Sequence, residues 1–115
     1  MKLIKAIALT LAVASSSTAL ATESTVADVV CGPVMEFARQ AQIARQSGTT
    51  IDDLRSFLED ENVLTPSVDT MVHAAYILPI EEQAEMKRHA VDFFANEIDR
   101  QCRVAVIKAI TGASI

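Results

Sequence analysis

The chain has 115 residues, half of them hydrophobic, and 15 acidic against 10 basic side chains give a formal net charge of −5. This length fits a single domain. The acidic balance argues against binding to nucleic acids or anionic lipids by charge attraction. It is compatible with a basic protein partner, but the favoured interpretation is a soluble domain that its charge keeps apart from its neighbours.

The first 21 residues have the three-part pattern of a cleavable secretion signal. Lys2 and Lys5 form a short positive region, residues 6–13 are apolar, and Ala19-Leu20-Ala21 matches a cleavage site. A serine cluster interrupts the apolar run before it reaches the length of about 20 residues that a membrane-spanning helix needs. We therefore expect residues 1–21 to be removed, and residues 22–115 to form one helical domain.

The expected mature protein is periplasmic or secreted and has no membrane association. Its net charge falls from −5 to −7, because Lys2 and Lys5 leave with the signal.

The chain contains two cysteines, Cys31 and Cys102. In an oxidising compartment such a pair forms a disulfide by default, which stabilises a small domain by roughly 4 kcal/mol in a chain-entropy estimate. A redox site is the alternative, but catalytic pairs usually lie close together in sequence, and no second cysteine follows Cys31 at that spacing. The pattern predicts a structural disulfide between Cys31 and Cys102.

Residues that typically start or end helices divide the first half of the expected mature chain into two helical segments. A first helix is predicted over residues 32–46, with Pro33 in its first turn and Gly48 just beyond its end. A second is predicted over residues 51–60, because Thr50 stands three residues before Asp53 in a pattern close to a capping box.

Two further helices complete the prediction. Thr65-Pro66 begins a third helix over about residues 66–78, which Pro79 ends. A fourth spans residues 80–111, where acidic residues crowd the first turns and Gly112 follows the end. A break near Arg103 is left open, because this helix is long for so small a domain. The expected fold is an all-α bundle of about four helices, stapled by one disulfide.

The strongest candidate cluster follows one face of the fourth helix. Glu82, Glu85, His89 and Asp92 are spaced by three, four and three residues, which aligns them along the helix. Imidazole and carboxylate groups ligate metals, so Glu85, His89 and Asp92 are weak candidate metal ligands. A solvated helix face has the same pattern and is the favoured interpretation. With no nucleophile elbow or phosphate-binding loop, we expect neither enzyme activity nor a cofactor.

Several segments together resemble a group of small exported helical proteins from bacteria and prophages. They are Cys31, Ala44-Arg45-Gln46-Ser47-Gly48, Ala74-Ala75-Tyr76 with Pro79, and Phe93-Phe94 ahead of Cys102. The resemblance covers most of residues 31–102 and implies a structural pattern of the form Cys…RQxG…AYxxP…Cys, without any catalytic residue. It singles out Tyr76, which would either cap a binding groove or bury its ring with the hydroxyl at the surface.

Three functions fit these features. The favoured one is a non-enzymatic module that binds or inhibits another protein, as an immunity protein does. The second is a periplasmic chaperone for acid stress, because protonation of many carboxylates would loosen the bundle. The third is a metal-handling protein that uses Glu85 and His89.

Overall fold

The computed structural model describes the backbone of residues 2–112 and the side chains of residues 24–112. Over this part of the chain it has four helices and no strand: α1 (Lys2–Gln46), α2 (Ile51–Asp60), α3 (Pro66–Ile77) and α4 (Ala84–Thr111). The predicted all-α fold is therefore confirmed. The expected signal peptide, residues 1–21, lies outside the residues whose side chains are described. None of the described helices has a segment long and apolar enough to cross a membrane.

The central feature of the fold is an antiparallel pair formed by α1 and α4. As the residue number increases along α1, the number of the contacting residue in α4 decreases. The four contacts that set this register are Asp28 with Arg103 (2.6 Å), Cys31 with Cys102, Arg39 with Asp92 (2.7 Å) and the Gln46 carbonyl with Lys87 (2.8 Å). The Cys31–Cys102 disulfide is confirmed, and Cys31 is fully buried. Such a bond is typical of proteins outside the reducing cytoplasm.

The predicted start of the first helix is wrong, because Pro33 lies inside α1 and not in its first turn. The helix continues before Pro33 since α4 lies alongside: Ala27 is buried and Asp28 pairs with Arg103. Pro33 has no N–H to donate to the carbonyl of Val29. Val29 is exposed, so water can satisfy that carbonyl.

The end of α1 and both ends of α2 lie where the sequence predicted them. The Thr50 hydroxyl accepts a hydrogen bond from the Asp53 N–H (3.1 Å), and α2 covers the predicted residues. Gly48 has φ +87°, the left-handed conformation expected beyond a helix end. Asn62, which the sequence analysis did not single out, has φ +59° and turns the chain after α2.

The third helix begins as predicted, whereas the fourth begins later than predicted. Thr65 caps α3 by accepting a hydrogen bond from the Val68 N–H (3.2 Å). α4 starts at Ala84, so Glu81 and Glu82 precede it instead of lying in its first turn. It then runs unbroken past Arg103 to Thr111, and Gly112 ends it in a left-handed conformation.

The core is built from small side chains between α1, α3 and α4. Ala38, Ala41, Ala75 and Phe94 are buried together, and the alanines allow the helix backbones to approach closely. Phe57, Ala84, Ala105 and Ala109 are apolar helix residues that remain exposed. In the short helix α2, Leu58 is buried and the adjacent Phe57 is not.

Candidate functional site

Two buried glutamines connect the end of α1 to the segment that leaves α3. Gln42 donates from its amide nitrogen to the Ala75 carbonyl (2.8 Å). Gln46 donates to the Pro79 carbonyl (2.9 Å) and accepts from the Glu81 N–H (2.9 Å). The two side chains are also linked, since Gln46 donates to the Gln42 side-chain oxygen (2.8 Å). Buried amides cost free energy unless they are hydrogen-bonded, so this network fixes the segment that it holds.

Arg45 and Tyr76 reinforce the same junction. Arg45 donates to the Leu78 carbonyl (2.9 Å), and its guanidinium lies 5.3 Å from the centre of the Tyr76 ring. The Tyr76 hydroxyl donates to the Thr49 carbonyl (2.8 Å). Burial raises the pKa of Tyr76 above its ordinary value of 10.0, while Arg45 acts in the opposite direction. Tyr76, the weak binding candidate, therefore has both its ring and its hydroxyl engaged within the protein.

These contacts bring together residues that are far apart in sequence. Arg45 and Gln46 of α1 contact the segment of residues 75–81, which contains Tyr76 and Pro79. Two of the segments that the sequence analysis singled out, residues 44–48 and residues 74–79, thus meet in one polar junction. Its role in this protein is to hold residues 78–81 against α1.

A groove lies on the outer side of this junction, between residues 78–81 and the first three turns of α4. It is an open cavity of about 170 Å³ with mainly apolar walls. Its lining residues are Leu78, Pro79, Glu81, Met86, His89, Ala90 and Phe93. We call this surface the α4 groove. A dry cavity of roughly 150 Å³ can hold a benzene molecule, so the volume suits one large apolar side chain.

Large apolar side chains remain exposed along this surface. Phe93 and Met86, both in the lining, are 60% and 45% exposed. Ile80, in the held segment, is 46% exposed, and Ile77, the last residue of α3, is 82% exposed. The backbone of residues 78–81 is hydrogen-bonded inward at Leu78, Pro79 and Glu81. The Leu78 side chain packs partly against the core, whereas Pro79 and Ile80 are exposed. Exposed apolar patches with polar edges mark interaction surfaces.

The candidate metal ligands do not form one site. Asp92 accepts a hydrogen bond from Arg39 (2.7 Å), whereas His89 lines the α4 groove and Glu85 is exposed. Between residues 24 and 112, no group of three or more His, Cys, Asp or Glu side chains is arranged to hold a metal ion. The favoured interpretation of a solvated helix face fits the exposure of Glu82 and Glu85.

Sequence reasoning missed the residues that define the groove. Gln42 lies within a predicted helix, but a buried glutamine has no periodic signature that sets it apart from a surface one. Phe93 was noted only as part of the resemblance, and the sequence does not show that residues 78–81 lie opposite it. In the doublet Phe93-Phe94 the two side chains point in different directions from the helix, and here Phe94 is buried while Phe93 is 60% exposed.

The chain matches no protein-family model, no curated protein and no solved structure. Its function must therefore be inferred from the α4 groove and from the residues that hold it.

Proposed function

We propose that this protein is a small exported binding module, without enzymatic activity, that recognises another protein through the α4 groove. The observation that carries this proposal is the groove itself, with Phe93 and Met86 exposed in its walls. Leaving such side chains in water gives up the free energy that their burial would provide, about 25 cal/mol per Å² of apolar surface. A partner that covers them recovers it.

The rigidity of the groove supports the same proposal. A surface that is already held in its binding conformation loses less conformational entropy when a partner binds. The Gln42–Gln46 network holds one wall, while α4, fixed to α1 by the disulfide, provides the other. An inhibitory or immunity-like module in the periplasm would use such a preformed surface.

A matched pair of exposed phenylalanines tests the proposal. Phe93 in the groove and Phe57 on α2 are 60% and 59% exposed, so replacing either by serine should leave the fold intact. The oxidised protein, residues 22–115, serves as bait in periplasmic extract, and captured proteins are purified and titrated by calorimetry. We expect a partner that binds the wild type and Phe57→Ser, and binds Phe93→Ser at least tenfold more weakly. Equal binding by both variants would contradict the role of the groove.

A second candidate, the acid-stress chaperone, is favoured by the ion pairs between the paired helices. Asp28 with Arg103 and Asp92 with Arg39 join α1 to α4, and both need an ionised carboxylate. Acid would remove them while the disulfide remains. A chaperone of this kind should suppress aggregation of an unfolded client near pH 3 and not near pH 7. Equal client aggregation with and without the protein at low pH would eliminate this candidate.

A further inference from the structure

The α4 groove has an acidic edge. A second, more open depression shares Glu81 and Met86 with it and continues over Ile80, Glu82 and Gln83. Glu85 follows in the first turn of α4. We call Glu81, Glu82 and Glu85 the acidic lip.

The carboxylates of the lip lack a basic partner, as do the carboxylates of residues 52–61. Among the described side chains, those of residues 24–112, the lip carboxylates form no ion pair. Six other carboxylates each pair with an arginine, namely Asp28, Glu36, Asp69, Asp92, Glu97 and Asp99. Arg88, exposed on α4, adds one positive charge nearby, and Lys87 is directed to the Gln46 carbonyl. The edge of the groove is therefore net negative.

This charge argues against a second copy of the chain as the occupant. The exposed aromatic ring that a second copy could offer from outside its own groove is Phe57. Asp53, Asp60 and Glu61 lie three or four positions from it and therefore surround it on the helix surface. Placing Phe57 in the groove would bring these carboxylates towards the acidic lip, and like charges repel.

We infer that the α4 groove binds a short segment of another protein that carries one aromatic side chain flanked by lysine or arginine. The aromatic ring fills the cavity of about 170 Å³ beside Phe93, and the basic side chains face Glu81, Glu82 and Glu85. This inference rests on the proposed function, to which it adds the chemistry of the partner. Burial of the aromatic ring in the groove provides the affinity, and attraction between the basic side chains and the acidic lip determines which partners are preferred.

Synthetic peptides test this chemistry directly. Two labelled ten-residue peptides share a central tryptophan, which is flanked by lysine and arginine in one and by glutamate in the other. Binding to the oxidised protein, residues 22–115, is measured by fluorescence anisotropy at low and high salt. We expect the basic peptide to bind at least tenfold more tightly at low salt, and this preference to shrink as salt is added.

Two triple variants distinguish the effect of the acidic lip on binding from the effect of the protein's overall negative charge. Glu81→Gln/Glu82→Gln/Glu85→Gln should abolish the preference for the basic peptide. The control, Glu59→Gln/Asp60→Asn/Glu61→Gln at the end of α2, removes the same charge and should retain the preference. Equal loss in both variants, or no binding of the basic peptide to the wild type, would overturn the inference. If both peptides bind equally and Phe93→Ser weakens both, the inference fails while the proposed function stands.

Discussion

Gln46 uses both ends of its side-chain amide to hold the Pro79 carbonyl and the Glu81 N–H. Gln46→Ala would leave these groups, and the Gln42 oxygen, without their partner. We expect the free energy of unfolding to fall by about 2 kcal/mol, as measured by urea denaturation. The control is Gln40→Ala, because Gln40 is exposed and donates only to Glu36. Equal losses in the two variants would mean that the network does not stabilise the protein.

Glu97 makes a specific contribution to stability in acid. Hydrogen bonds from Arg100 and then Gln101 lower the pKa of Glu97 below its ordinary value of 4.5. Because the pKa is lower in the folded than in the unfolded state, this stabilisation is present above pH 4.5 and is lost as the pH falls through the folded value. In Glu97→Gln, the urea midpoint should therefore decline less between neutral pH and about pH 3. Glu82→Gln, which lacks an ion pair, should follow the wild type more closely, and identical slopes in Glu97→Gln and the wild type would refute the prediction.

At the scale of the helices, two glycines with open surroundings should respond in opposite ways to the same substitution. A Cβ at Gly32 or at Gly48 would meet nothing within 4 Å, so neither change causes a clash. Gly32 lies inside α1, where alanine is the better helix former, and Gly32→Ala should stabilise the protein by about 0.5–1 kcal/mol. Gly48 has φ +87°, so Gly48→Ala should destabilise it by about 1 kcal/mol. Thermal unfolding measures both, and shifts of the same sign would contradict the argument.

Local chemistry explains which helices could be predicted from sequence. The caps at Thr50 and Thr65 act within a few residues, so the limits of α2 and the start of α3 are readable from the chain alone. The part of α1 just before Pro33 is stabilised by α4, because the contact between Asp28 and Arg103 joins residues 75 positions apart. The late start of α4 likewise depends on Gln46, which holds the Glu81 N–H. Such boundaries are set by tertiary contacts.

The candidate site was harder to predict for the same reason. The Cys31–Cys102 disulfide was predicted correctly, because a chain with two cysteines offers one intramolecular pairing. The sequence could not show that Gln42 and Gln46 are buried, nor that residues 78–81 form a wall opposite Phe93. The α4 groove exists only once α1, α3 and α4 are packed together.

At the scale of the whole molecule, the disulfide should supply a large share of the stability. It closes a loop with a sequence separation of 71, for which chain entropy gives roughly 4 kcal/mol. We expect Cys31→Ala/Cys102→Ala, or the wild type in a reducing agent, to lose free energy of unfolding of that order in urea titrations. The double variant should be insensitive to the reducing agent. A wild type whose midpoint is unchanged on reduction would contradict this role.

The position of the disulfide also determines what happens when a protease cuts the chain. Residues 61–65 connect α2 to α3 and are largely exposed, which makes them an accessible cleavage site. A cut there separates Gln42 and Gln46 from the groove residues, yet Cys31 still links the first fragment to Cys102 in the second. The nicked protein should migrate as one species without reductant and as two with it. This arrangement would keep the two walls of the groove in one molecule after a break in the backbone.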